Sequence, residues 1–179
     1  MQHKSTYRRV LSLGLIFVLT YLILPSQNAL NCQVSPTPAP VIIFGEDMDI
    51  GYDLIEPEPG QYILTGQTHS FGNGRSDIWL MEVDDEGVVH WNITFGGIAD
   101  ETGRAIINCQ NGDYAVVGYT SSFGAGSYDL WLLRISPTGQ LLWNRTYGTP
   151  GFDYGAALIE IEEHLYICGY TDNGYVGNN

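Results

Sequence analysis

Two short loops in this chain carry the residue types that a ligand site would need: Gly72-Asn73-Gly74-Arg75-Ser76-Asp77 and Gly124-Ala125-Gly126-Ser127-Tyr128-Asp129. Paired glycines let a backbone approach a phosphate, but a dinucleotide cradle needs a strand before the glycines and a helix after them. Here a strand pattern follows each loop (Ile78-Trp79-Leu80, Leu130-Trp131-Leu132), so the phosphate reading fails. Asp at such a position bonds nearby backbone amides and fixes a turn, which is the role expected of Asp77 and Asp129. Their alternative role is calcium binding, with loop carbonyls and these carboxylates as hard oxygen ligands. Asp47-Met48-Asp49-Ile50-Gly51 offers two more carboxylates at i and i+2 but lacks the third acid and the distant Glu of a full calcium loop.

Other reactive residues do not assemble into a pattern. His69, His90 and His164 occupy unrelated places, and the chain has no His-Glu-x-x-His, no paired-Cys metal spacing and no Gly-x-Ser-x-Gly. Cys32, Cys109 and Cys168 are an odd number without a legible disulfide framework, so buried thiols are expected. Asn92-Ile93-Thr94 and Asn144-Arg145-Thr146 are glycosylation sequons, with ordinary strand Asn and Thr as the competing reading.

These motifs recur because the chain repeats itself. Gly66 to Leu80 aligns with Gly118 to Leu132, and Gly87 to Trp91 aligns with Gly139 to Trp143, always 52 residues apart. A third copy opens at Tyr147-Gly148 and reaches Gly169-Tyr170-Thr171 after slipping by one residue. A period of this size signals a solenoid, propeller or array, in which one repeat cannot bury its apolar face alone. The repeats run over 44–94, 95–146 and 147–179, the last truncated.

The N-terminus differs in kind. Lys4, Arg8 and Arg9 precede a mainly apolar run from Val10 to Leu24, so residues 1–31 read as a secretory signal, either cleaved or kept as an anchor. Residues 32–43 form a linker whose alternating Pro36, Pro38 and Pro40 favour an extended spacer. The whole chain carries −13; without residues 1–31, four arginines face 20 acidic residues. Nucleic acid, which requires basic patches, is excluded as a partner on this ground. Membrane contact is expected only through residues 10–24, if they are retained.

Within the second repeat, four short strands are expected at 104–108, 114–120, 130–135 and 140–146. Asn111-Gly112-Asp113, the Gly124 to Gly126 loop and Pro137-Thr138-Gly139 supply the turns. Four antiparallel strands per repeat make the blade of a β-propeller. Trp79, Trp131, Trp91 and Trp143 would then lie on equivalent surfaces between blades, with Gly66, Gly118 and Gly169 as repeated structural positions; sugar stacking is the rival role for the tryptophans. The presumed innermost strands (52–56, 104–108, 156–160) offer no matched acid or base.

Asn111 to Leu132 and Trp143-Asn144-Arg145-Thr146-Tyr147-Gly148 resemble the tandem β-propeller repeat of secreted and cell-surface proteins of archaea and bacteria. The resemblance covers 44–179 and implies an exported propeller without a particular reaction. Glu58-Pro59-Gly60-Gln61 and Ile161-Glu162-Glu163-His164 depart from the usual Gly-rich hairpin, so atypical turns are expected there. Propellers close with roughly four to eight blades, and two blades plus a partial third imply a fragment of a longer protein or closure by self-assembly. The expectation is an exported all-β scaffold or binding module, not an enzyme, with no catalytic residue and a protein or glycan at the cell surface as partner. The alternatives are a fragment of a propeller enzyme or cofactor-dependent oxidoreductase whose catalytic residues lie in further blades, and a calcium-stabilised adhesion module.

Overall fold

A computed structural model describes residues 45–172. The signal at 1–31, the linker at 32–43, Phe44 and the end of the third repeat, 173–179, lie outside the described residues. No helix among the described residues is long and apolar enough to cross a membrane.

The described chain is all-β, with ten strands in three antiparallel sheets. The first sheet is a meander of β1 (Asp49–Glu58), β2 (Gln61–Thr68), β3 (Asp77–Asp84) and β4 (Val89–Phe95). The second repeats that order with β5 (Glu101–Asn108), β6 (Tyr114–Thr120), β7 (Asp129–Ile135) and β8 (Leu141–Tyr147). The third pairs β9 (Phe152–Ile161) with β10 (His164–Asp172). β-Branched and aromatic runs bounded by Gly, Pro, Asn and Asp dictate such hairpins. The one-residue slip of the third repeat is absorbed at the β9–β10 turn, where Glu162 (φ 49°) and Glu163 (φ 64°) take the left-handed backbone.

One irregularity recurs in every sheet. The first hairpin is bulged between Gly51 and Asp53, between Gly103 and Ala105, and between Gly155 and Ala157. Each bulge drives a carbonyl toward the partner strand, where Gly66, Gly118 or Gly169 stands. A Cβ on these glycines would collide with the carbonyl oxygens of Ile50, Thr102 and Tyr154 respectively. The repeated glycines are thus demanded by close backbone approach.

The sheets stack through equivalent faces. Ile63, Ile78 and Leu80, with half-buried Trp91, Ile93 and Phe95, pack from the first sheet against Ile106, Tyr114, Val116, Trp131, Leu133 and Ile135 of the second. One repeat later, Ala115, Leu130 and Leu132 pack from the second sheet against Leu158, Leu165 and Ile167 of the third. Ile63, Ile78, Leu133 and Ile135 are fully buried, and each such side chain contributes roughly 1.5–3 kcal/mol by leaving water. The leading strands are neighbours, β5 lying against β1 and β9 against β5. At their bulges, the Arg104 guanidinium sits 4.3 Å over the Tyr52 ring.

Burial follows from this stacking. β6 and β7 are buried almost throughout, whereas β8 and β10 are largely exposed. The four tryptophans accordingly divide: Trp131 and Trp91 pack between sheets, Trp79 is buried under Phe71, and Trp143 is 40% exposed. Trp143 lines an open groove with Leu130, Leu132, Tyr147 and Leu165, because β9 and β10 cover only part of the second sheet. Cys168 is exposed on β10, a departure from the expected buried thiol with the same cause.

Candidate functional site

The two Gly-rich loops join β2 to β3 and β6 to β7, and both close on the aspartate that follows. Asp77 Oδ2 accepts from the amides of Asn73 and Gly74, each at 3.0 Å. Asp129 accepts from Ala125 at 3.1 Å and from Gly126 at 2.9 Å. Gly72 (φ 99°) and Gly124 (φ 106°) supply the left-handed turn, and a side chain on either would strike that carboxylate. Both aspartates are buried at 1% exposure, so these charges are balanced by backbone dipoles.

A second repeated acid went unrecognised in the sequence reading. Asp49, Glu101 and Asp153 begin or nearly begin β1, β5 and β9, and each accepts from a threonine at or next to the end of the neighbouring strand. The donors are Thr68 to Asp49 at 2.5 Å, Thr120 to Glu101 at 2.8 Å, and Thr171 to Asp153. A backbone amide four residues upstream adds to each: Gly45 at 2.8 Å, Gly97 at 2.7 Å and Thr149 at 2.6 Å. Burial alone would raise the Asp49 carboxyl, but the bonds from Thr68, Gly45 and Ser70 outweigh it and hold it below the usual range. The Thr171 hydroxyl, followed by the Thr149 amide, holds Asp153 low. The signal was legible as an acid recurring every 52 residues, but local reading of Asp47 and Asp49 as half a calcium loop obscured it.

These bonds define what the acids do. As candidate calcium ligands, Asp77, Asp129 and Asp49 direct carboxylate oxygens at their own loops and at hydroxyls. Among the described residues, the one acidic trio within ligating distance is Asp84, Asp85 and Glu86, partly or fully exposed at the β3–β4 turn. There Asp84 caps the turn by accepting from Val88 at 2.8 Å and Glu86 at 3.1 Å, and it bonds His90 at 2.9 Å. His69 meets Gln67, and His164 meets the carbonyl of Glu162, so the three histidines stay apart.

The sequons lie on β4 and β8, exposed at Asn92 and Asn144. Each Oδ1 accepts an indole N–H, from Trp79 at 2.6 Å and from Trp131 at 3.1 Å. This joins two repeated positions that the sequence reading had treated separately.

Two further features belong to the second junction alone. Buried Arg134 on β7 bonds Asp113, Asn111, Cys109 and Glu160 of β9, clasping the second sheet to the third. Burial pushes the Cys109 thiol up to about 11, so it is not a nucleophile at neutral pH. At the end of the same junction, Tyr119, Tyr128, Phe152, Tyr154 and Tyr170 form a continuous aromatic cluster. Burial raises the Tyr128 and Tyr154 phenols, which stay protonated.

Comparison with known proteins finds no family model that matches the chain and no curated protein that matches it.

Proposed function

We propose that the chain is an exported, non-catalytic repeat protein of the β-propeller type that serves as a scaffold or binding platform at the cell surface. In this reading the three sheets are successive blades, at 44–94, 95–146 and from 147 onward. The observation that carries it is the equivalence of the two junctions: Ile63, Ile78, Leu80 and Trp91 face the second sheet as Ala115, Leu130, Leu132 and Trp143 face toward the third. One stacking operation applied repeatedly, with leading strands side by side, generates a ring where its rotation closes and an open stack where it does not; the propeller reading takes the closed case. Further copies of the repeat or a second molecule would complete it.

Export rests on the charged and apolar segments before residue 25 and on the linker after them. A binding role rather than catalysis is supported by the buried acids, whose oxygens are taken up by loop amides and hydroxyls. A surface protein or glycan fits the acidic exported part better than nucleic acid does.

The test is to express the full chain with a C-terminal epitope, probe intact cells with antibody, and image the purified protein by negative-stain electron microscopy. Surface labelling with ring-shaped particles is expected. Labelling only after lysis, or open rods of stacked sheets, would overturn the reading.

A further inference from the structure

The fold uses each sequon only in part. Oδ1 of Asn92 accepts from the Trp79 indole at 2.6 Å, and Oδ1 of Asn144 from Trp131 at 3.1 Å. An indole N–H can only donate, so the carbonyl is turned to the ring and the amide Nδ2 away from it. Both asparagines are exposed, and among the described residues neither Nδ2 makes a hydrogen bond. Thr94 and Thr146 stand opposite the same tryptophans in the ladders. Their hydroxyls likewise bond nothing among the described residues. From β4 to β8, His90 and Ile93 give way to Leu142 and Arg145, yet the Asn and the Thr persist. The indole bond accounts for the asparagine. Nothing in the packing demands the hydroxyl, since valine would suit a strand as well.

The openness of these positions does not come from a neighbouring sheet being short. Side chains alternate along β8, so Asn144 and Thr146 share one face while Trp143 and Arg145 share the other, with the Arg145 guanidinium 5.6 Å from the Trp143 ring centre. The Asn144 face is the one that carries Trp131 toward the first sheet. With that sheet in place, Asn144 still borders an open groove with Phe95, Phe123 and Leu141, and it stays exposed. Asn92 holds the same place one repeat earlier, so a preceding sheet would leave it open too.

We infer that Asn92 and Asn144 each carry an N-linked glycan on Nδ2. The inference rests on the export reading, because the donor, a polyprenol phosphate- or pyrophosphate-linked saccharide, is used on the exported side of the membrane. In the transfer the bond from sugar C1 to the phosphate oxygen breaks and the C1–Nδ2 bond forms. Nδ2 gives up one proton, and the polyprenol phosphate leaves with the electron pair. The amide carbonyl survives, so the glycan and the bond to the indole coexist, and that bond fixes the direction in which the sugar leaves the sheet. β4 and β8 are the outer strands of their sheets. A bulky hydrophilic group beside each open edge hinders pairing with another chain.

The test is peptide mass spectrometry of the full chain purified from its native cells, together with antibody labelling of those cells. Peptides containing Asn92 and Asn144 should each be heavier than their sequence by a saccharide. Thr94→Val and Thr146→Val should each abolish this at their own site alone, while Thr146→Ser should keep it. These substitutions leave the Asn–Trp bonds intact, and circular dichroism establishes that the sheets persist. A surface-labelled protein whose two peptides have their sequence masses overturns the glycans and leaves export standing. A protein that stays inside the cell unmodified sinks both readings. A saccharide that survives Thr→Val would lie on another residue and overturn the assignment.

Discussion

The indole N–H of Trp131 donates to Oδ1 of Asn144 at 3.1 Å, and Trp79 makes the same bond to Asn92 at 2.6 Å one repeat earlier. Both indoles are buried, so each would lose its partner in a place that water scarcely reaches. Asn92→Ala and Asn144→Ala should each cost about 1–2 kcal/mol, the penalty for an unsatisfied buried donor. Asn144→Asp keeps the acceptor while destroying the sequon, and should cost less. Urea denaturation of the three variants measures this, and equal losses in all would refute the hydrogen-bond account. A mass that changes on Asn144→Asp by no more than the substitution itself would mean that the site carries no glycan.

Gly118 faces the Thr102 carbonyl across the bulged first hairpin of the second sheet. Gly118→Ala must push that backbone away and disturb β5, which contacts the first and third sheets. A loss of about 3 kcal/mol or more is expected, at the upper end of overpacking effects. Gly112→Ala has open space around it and strains only its own turn at φ 85°, so its loss should be smaller, about 1 kcal/mol. Thermal melts that rank these two the other way would contradict the packing argument.

The β9–β10 turn holds two glutamates in the left-handed region, where Asn and Gly are far better tolerated. The double substitution Glu162→Asn, Glu163→Gly should therefore stabilise the protein, by about 1 kcal/mol. A fall in the melting temperature would show that the glutamates make compensating contacts.

Asp49 and Asp153 set the acid limb of stability. Their folded pKa values are depressed, so their contribution is present above the unfolded value of about 3.9 and is lost as pH falls through the folded value. Stability should be flat above about pH 5 and decline below about pH 4. Thr68→Val and Thr171→Val remove donors, lowering stability at neutral pH and flattening the acid decline. Melting curves from pH 7 downward test this; an unchanged slope in both variants would assign the acid limb to other groups.

Most of the strand pattern was legible in the chain. β6 coincides with the expected 114–120, β7 begins one residue before the expected 130, and β8 is shifted by one residue from the expected 140–146, because turn residues and apolar alternation act over a few neighbours. β5 begins three residues before the expected 104, at Glu101, since its opening residues pair with Tyr119 and Thr120 from a separate turn. The all-β class, the repeat and the atypical β9–β10 turn follow from the sequence, because 52-residue periodicity and turn chemistry are visible in one dimension. Only the tertiary structure decided that Trp91 and Trp131 are covered while Trp143 is open, that Cys168 is exposed, and that Asn92 serves an indole. It alone gathered Tyr119, Tyr128, Phe152, Tyr154 and Tyr170 from three strand ends and a loop. Those outcomes depend on which sheet lies over which face, a long-range contact that local residue order does not encode.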